Sequence, residues 1–506
     1  MSDIAKQITG LSVEKRQLLE RYLKTAGLNL SRAVILPQSR ETNKFPLSFA
    51  QQRLWFLDQL EPNTAVYNIP DMHYFSGPLN LAALERSLSE LIRRHESLRT
   101  TFHSIDGEPV QVIDEPQPRK IEVIDLSGLP EPEREAEAQR MAHDEAELPF
   151  DLTRGPLFRF RLVKLEEQEH LLLLTMHHII SDGWSLGVLG RELSALYQAF
   201  STEQSSPLEE LTIQYADFAV WQRQWLQGET LEKQLVYWRE KLGGELPVLD
   251  LLTDRPRPPV QTYRGGAVER ILSVEVSERL KQVSMENGAT LFMTLLAAFN
   301  VVLWRYTRQQ DILVGSPIAN RNRTEIEGII GFFVNTLVLR SAVNPEMTFR
   351  EFLAQVRETT LGAYGHQDVP FERLVEELQP ERTLNRQPLF QVLLTLQTWE
   401  EMQLEGLELT FMNTRREVTK FDLSLFLSET DSGLYSWFAY NTDLFDGPTI
   451  SRLLKHFHTL LEEIAANPDA RLCELSLMTK EEREQLERWN QAETDYEREK
   501  CVHELV

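Results

Sequence analysis

Residues Leu171 to Met176 form a short apolar run, Leu-Leu-Leu-Leu-Thr-Met, that ends on His177 and His178. Its length and composition fit a β-strand. The polar spacer Glu166-Glu167-Gln168-Glu169 separates it from a second strand-like stretch, Pro156 to Leu165, so the two read as an antiparallel hairpin. Ser181-Asp182-Gly183 then closes the strand's end, and a helix is predicted from about Trp184 to Phe200. The unit strand–loop–helix commits this part of the chain to a mixed α/β design. It also places an ionisable ring, a carboxylate and a glycine in one loop at the end of a rigid strand, the usual mounting for chemistry in a cleft.

The rest of the chain organises around similar units. At 506 residues it is too long for one core, and two or three domains are predicted. Residues 12–26 can form a helix capped by Ser12 and stopped by Gly27, followed by an aperiodic linker, so 1–46 is read as an N-terminal helix and linker. A first lobe is expected over 47–207. There Asn80 caps a helix with Leu81, Leu84, Leu88, Leu91 and Ile92 at helical spacing, and a strand-like Leu98 to Phe102 follows. A second lobe of similar make is expected over 208–478. It takes in the aromatic-rich Tyr215 to Trp225, the helix-like Leu231 to Leu242, the stiff Asp254-Arg255-Pro256-Arg257-Pro258-Pro259 and a helix from about Val276. Beyond these come a strand at Ile312 to Val314, a capping box at Thr348 and Glu351, strands at Phe421 to Leu427 and Leu434 to Tyr440, and a last long helix around Ile450 to Ile464. The charged 479–506 has little to bury and reads as a linker toward another domain.

Composition removes several function classes. The net charge of −24 argues against a phosphate-tracking surface, so no nucleic-acid partner is expected. The apolar Ala289 to Trp304 is short for a membrane span and is broken by Thr294 and Asn300; it reads as a buried helix, and no membrane association is expected. The N-terminal Met1 to Lys6 lacks the apolar core of a signal peptide. Only Cys473 and Cys501 are present, both near the C-terminus, which fits a reducing, cytoplasmic setting.

Successive strand residues face opposite ways, so if the strand persists to this point His177 and His178 cannot both enter the same cleft, and one is expected to be catalytic while the other serves structure. Zinc would need three or four converging ligands, and the chain has no His-Glu-x-x-His pattern or Cys pair, so no metal is expected. Gly183-Trp184-Ser185-Leu186-Gly187 matches a nucleophile elbow. In an elbow the serine sits at the turn directly off the strand, whereas here a whole loop intervenes, so Ser185 is assigned to the first turn of the helix.

His177-His178-Ile179-Ile180-Ser181-Asp182-Gly183 resembles the H-H-x-x-x-D-G signature of nonribosomal peptide synthetase condensation domains. Ser48 to Trp55, Arg94 to Thr100, Tyr215 to Trp221, Ile330 to Thr336, His366 to Glu372 and Arg386 to Leu389 resemble further motifs of that family, in its order, covering about Leu47 to Asp446. The resemblance implies two chloramphenicol acetyltransferase-like lobes in a V-shaped pseudodimer, with a tunnel in which two carrier-borne arms meet at the second His. That residue is His178, the implied catalytic group, acting as base or as positioner. Asp182 is implied to pair with Arg321, and Gly183 to permit a tight turn; Asp182 as a second acid or base is the alternative. Arg53, His177, Trp184 and Asn335 are supporting residues, read as core packing or direct contacts.

The implied reaction is amide formation between an upstream carrier-bound acyl or peptidyl thioester and the amino group of a downstream carrier-bound aminoacyl thioester. Substrates would ride on 4'-phosphopantetheine arms of peptidyl carrier proteins beside an adjacent adenylation domain; the chain would bind no cofactor of its own and use no ATP. Among relatives, cyclisation domains normally carry Asp in place of both His residues. Epimerisation domains share the pair, but Trp489-Asn490-Gln491 and Val502 to Val506 resemble the passage into an adenylation domain. Wording around Ser48 to Leu60 is closest to the subtype taking an L-configured donor. A non-catalytic recruitment platform and an acyltransferase using coenzyme A thioesters are the readings from other classes.

Overall fold

The computed structural model describes residues 34–380, 383, 385–397, 402–412 and 418–490. The helix expected over 12–26, Cys501 and the stretches Gln491 and Val502 to Val506 lie outside the described residues.

The first lobe runs β1 (Lys44–Pro46), α1 (Phe49–Leu60), β2 (Asn68–Ser76), α2 (Leu81–Arg94), β3 (Thr100–Ile105), β4 (Glu108–Ile113), β5 (Glu122–Asp125), α3 (Glu131–Glu147), β6 (Phe158–Lys164), β7 (Glu169–His177) and α4 (Gly183–Ser201). The hairpin is formed: β6 and β7 pair antiparallel from Phe158↔Met176 to Lys164↔His170. Strand β7 is almost wholly buried because β2 and β6 flank it and both its faces are covered. Leu171 and Leu173 pack with Ala138 and Ala142 of α3, whereas Leu172, Leu174 and Met176 pack with Leu88 of α2 and Leu193 of α4. This two-residue alternation keeps the register of β7, and with it the height of the loop that follows.

The second half begins with α5 (Tyr215–Trp225) and α6 (Glu229–Leu242) and continues as β8 (Gly265–Leu272), α7 (Val274–Glu286), α8 (Leu291–Thr307), β9 (Asp311–Ile318), α9 (Thr324–Glu327), β10 (Asn335–Ala342), α10 (Phe349–Gly365) and α11 (Phe371–Leu378). It ends with β11 (Val392–Gln397), β12 (Glu408–Phe411), β13 (Leu423–Thr430), β14 (Gly433–Asn441), α12 (Gly447–Ala466) and α13 (Lys480–Asn490). The segment between α6 and β8 is held to the second lobe by Arg257 on Asp422 and Arg255 on Asp446. Helix α8 is buried from Met293 to Trp304, and its polar interruptions are satisfied within the core: Thr294 Oγ1 lies 2.6 Å from Ser284 Oγ, and Asn300 Nδ2 donates to Leu296 O. Among the described residues no single helix is long and apolar enough to cross a membrane; only α7 and α8 together, bent by 103°, meet the length and composition of a span.

The larger sheets have the orders β12-β2-β7-β6-β5 and β10-β9-β11-β13-β14-β8. The second repeats the core of the first: β13 and β14 form an antiparallel hairpin as β6 and β7 do, and a long helix follows each. One strand departs from the division expected at residue 208. Strand β12 pairs antiparallel with β2, from Glu408↔Ser76 to Phe411↔His73, and Met402 and Leu404 join the core of the first lobe. The second half thus supplies an edge strand to the first sheet, covering backbone groups of β2 that would otherwise stand open. Gly77 permits this crossing, because a side chain there would meet the Gly406 carbonyl at 2.6 Å.

Candidate active site

The loop after β7 is shaped by its own side chains. His177 continues the strand and is 4 % exposed. Its Nδ1 accepts the Ile179 N–H at 3.1 Å, and its ring lies edge-on to Phe150. Burial, with Lys420 and Arg159 nearby, pulls its pKa down to about 3, so the ring is neutral and serves as a cap for the turn. His178 faces the other way. Its N–H donates to Tyr67 O at 2.8 Å, and its ring is half-buried against Phe332 of the second half, with centroids 5.2 Å apart. Its Nδ1 lies 3.0 Å from Ser181 O. A carbonyl oxygen only accepts, so Nδ1 carries the proton and Nε2 of the neutral ring carries the lone pair.

Asp182 is fully buried and anchors the loop. Oδ1 caps α4 by accepting the Ser185 N–H at 2.9 Å and also meets Arg321 Nη2 at 3.1 Å; Oδ2 accepts the Phe333 N–H at 2.9 Å. A carboxylate so engaged holds geometry rather than shuttling protons. Arg321 fans out to Ile326 O and Ile329 O at 2.7 and 2.6 Å and stacks over Phe333. Burial lowers its pKa, and Asp182 acts against that shift.

Ser185 lies in the first turn of α4, as its distance from the strand requires. Its hydroxyl accepts from Arg321 Nη2 at 2.8 Å and from the Gly331 N–H at 3.1 Å, and lies within 3 Å of both Asp182 Oδ1 and Gly331 O. Its contacts are structural ones.

Gly183 corrects the expectation of a tight turn. Its φ is outside the left-handed region, it is the first residue of α4, and a Cβ there would meet nothing within 4 Å. No backbone constraint therefore demands glycine. Trp184 is not core either: it is 45 % exposed, and its indole N–H crosses to Glu327 O at 2.8 Å. Arg53 on α1 likewise bridges the halves, with Nη1 3.0 Å from Glu372 Oε1 and its guanidinium over Phe371. Asn335 is buried and clamps the 366–371 turn by donating to Gln367 O and Val369 O and accepting from the Phe371 N–H.

Three features escaped the sequence reading. First, residues 327–333 form one bridging loop, whose Ile330 is held by Ser97 Oγ and by His95 Nδ1. Second, His95 belongs to a buried set in which Arg94 and His95 both bond Glu192 of α4. Burial lowers the His95 pKa; for Glu192 burial is outweighed by His95 and Arg94, and its pKa falls too, so a neutral imidazole donates to a carboxylate. Third, a narrow cavity of about 40 Å³ lies between the halves, lined by Arg53, Phe218, Phe332, Thr336 and Glu372 among others. His178 is not in its wall, but Phe332 is shared. Among the described residues no group of three or more His, Cys, Asp or Glu is placed to hold a metal ion.

The Condensation domain family matches residues 41–487. A linear gramicidin synthase of Brevibacillus parabrevis is 52% identical over 96% of the chain, which spans 10% of that protein. Phosphinothricin tripeptide synthetase PhsC of Streptomyces viridochromogenes is 41% identical over 95% of the chain, which spans 45% of it. The chain thus covers less than half the length of either. Among solved structures, the complex of the X-domain and OxyB from teicoplanin biosynthesis matches with a TM-score of 0.77 at 29% identity, covering 88% of this chain and 98% of that one. The first condensation domain of the CDA synthetase matches with a TM-score of 0.71 at 25% identity, covering 86% and 99%. A mixed α/β fold shared with these structures and a family match across almost all described residues place the chain in the condensation-domain family of nonribosomal peptide synthetases, whose function is peptide-bond formation.

Proposed function

We propose that His178 serves an amide-forming step in which the amino group of a downstream carrier-bound aminoacyl thioester attacks the thioester carbon of an upstream carrier-bound acyl or peptidyl chain. The observation that carries this reading is the orientation of one ring. Nδ1–H is tied to Ser181 O, which leaves the Nε2 lone pair as the ring's basic atom, at the junction of the two halves. The attacking amine forms a C–N bond as the carbonyl π electrons move to oxygen. Nε2 then takes the proton from the ammonium of the tetrahedral intermediate. Collapse breaks the C–S bond, and the imidazolium returns the proton to the departing thiolate. No enzyme nucleophile is needed, and orientation of the amine contributes alongside proton transfer. Asp182 and Arg321 hold the loop; Arg53, His177, Trp184 and Asn335 hold its surroundings.

In this reading both substrates arrive on 4'-phosphopantetheine arms through a tunnel between lobes set in a V, the donor is L-configured, residues 47–207 and 208–478 are the two lobes, the second lending β12 to the first lobe's sheet, 1–46 is an N-terminal helix and linker, and 479–506 is a linker toward an adenylation domain in a cytoplasmic synthetase. Reconstitution with two loaded carriers tests it: His178→Ala should slow amide formation about 10²- to 10⁴-fold, and full activity would refute the role. A second reading, recruitment of a partner without catalysis, draws on the likeness to the X-domain solved in complex with OxyB. It predicts partner binding that survives His178→Ala and no amide product from the unaltered chain.

A further inference from the structure

We propose that the Tyr215 hydroxyl is a positioning group for the reaction, setting the Phe332 ring against the His178 imidazole. The inference rests on the reading of His178 as the reacting ring. Phe332 is a side chain of the second half that packs on that ring, at 5.2 Å between centroids. Its backbone is pinned at three consecutive points. Gly331 is tied by both its N–H and its carbonyl to Ser185 Oγ, and the Phe333 N–H is tied to Asp182. Between them, the Tyr215 hydroxyl donates to Phe332 O.

The hydroxyl is itself fixed. Because the carbonyl can only accept, Tyr215 spends its proton there, and Ser48 Oγ, 2.8 Å away, donates to the phenol oxygen. Ser48 in turn accepts the Gln51 N–H at the start of α1, so α1, α5 and the bridging loop share one buried chain of hydrogen bonds. Tyr215 is 1 % exposed, and its ring meets Phe333 edge-on at 4.8 Å. Gly331 is part of the same device. A Cβ there would stand 2.0 Å from the Tyr215 ring, so only glycine lets the loop come close enough for the bond to form. Anion formation at the phenol is opposed by burial, which keeps it a donor.

Tyr215→Phe keeps the ring and removes only the oxygen. With two loaded carriers, the single-turnover rate of amide formation should fall about tenfold while the KM for each carrier stays within about twofold and the circular dichroism spectrum is unchanged. A purely structural role would not predict coupling to Phe332. If the hydroxyl acts through that ring, Phe332→Leu and the double variant Tyr215→Phe/Phe332→Leu should show the same rate. A full rate for Tyr215→Phe, or a double variant whose loss is the product of the two single losses, overturns the inference. His178→Ala, measured alongside, reports separately on the reading beneath it: its full activity would sink that reading, whereas its inactivity beside a fully active Tyr215→Phe would sink only the inference.

Discussion

After β7 the chain runs His177-His178-Ile179-Ile180-Ser181-Asp182-Gly183 into α4; after β14 it runs Asn441-Thr442-Asp443-Leu444-Phe445-Asp446-Gly447 into α12. The two loops are turned by the same hydrogen bonds. Asn441 Oδ1 accepts the N–H two residues on, at 2.9 Å, as His177 Nδ1 does at 3.1 Å. The Thr442 N–H donates to Arg264 O just before β8, as the His178 N–H donates to Tyr67 O just before β2. Their residues differ at each of the first five positions, and the aspartate they share at the sixth sits in different surroundings. Thr442 stands where His178 does, and Asp446 is exposed and paired at the surface with Arg255, whereas Asp182 is buried under Arg321 and Phe333. The turn therefore needs an acceptor at its first position but no ring at its second. The second loop forms without a ring at its second position, and of the two aspartates Asp182 is buried while Asp446 is exposed.

Copying the second loop into the first is the sharpest way to break this comparison. His178→Thr should leave stability to urea unchanged and reduce the single-turnover rate by about 10²-fold or more. A variant that unfolds instead would mean that the ring is part of the fold. Next in size is the sixth position. Asp182→Ala strips the partner from a buried guanidinium and the cap from α4, and should cost about 3–5 kcal/mol by urea titration. Asp446→Ala removes a half-exposed surface partner of Arg255 and should cost about 0–1 kcal/mol. Equal costs would mean that the two aspartates do the same work.

Much of this was legible in local pattern. The polar spacer at 166–169 and the apolar runs around it fix the β6–β7 hairpin, and the Thr348–Glu351 capping box starts α10 at Phe349 with both of its reciprocal bonds formed. Strand alternation was expected to separate His177 from His178, but β7 ends at His177 and a tight 3-10 turn begins at His178; which of the two reacts came from resemblance. What stayed hidden was long-range. Strand β12 is four residues long, too short for alternation to declare it, and its partner β2 lies more than 300 residues earlier. The bonds from Tyr215 to Phe332 and from His95 to Ile330 join segments more than a hundred residues apart, and no spacing rule links them. Gly183 was read through glycine's backbone freedom, yet it has an ordinary helical start, while Gly331, whose missing side chain matters sterically, carried no such signal.

The first position should show the smallest effect at neutral pH and a distinctive one in acid. If Asn441 does the work of His177, then His177→Asn keeps an acceptor for the Ile179 N–H, and amide formation should stay within about tenfold of the unaltered chain. The acid behaviour follows from linkage. The folded His177 titrates at about 3 against an ordinary 6.5, because burial disfavours its charged form. Below pH 6.5 the unfolded chain takes up a proton that the folded chain refuses, so stability that is full above 6.5 is lost as pH falls toward 3, with a slope of up to about 1.4 kcal/mol per pH unit. His458, buried against Ser436 and also at about 3, contributes a second such slope. His177→Asn removes only its own share, so the difference in unfolding free energy between pH 7 and pH 5 should shrink relative to the unaltered chain, with the His458 contribution left in place. An unchanged difference would mean that His177 can accept a proton in the folded state, and the likeness to Asn441 as a neutral cap would fail at that position.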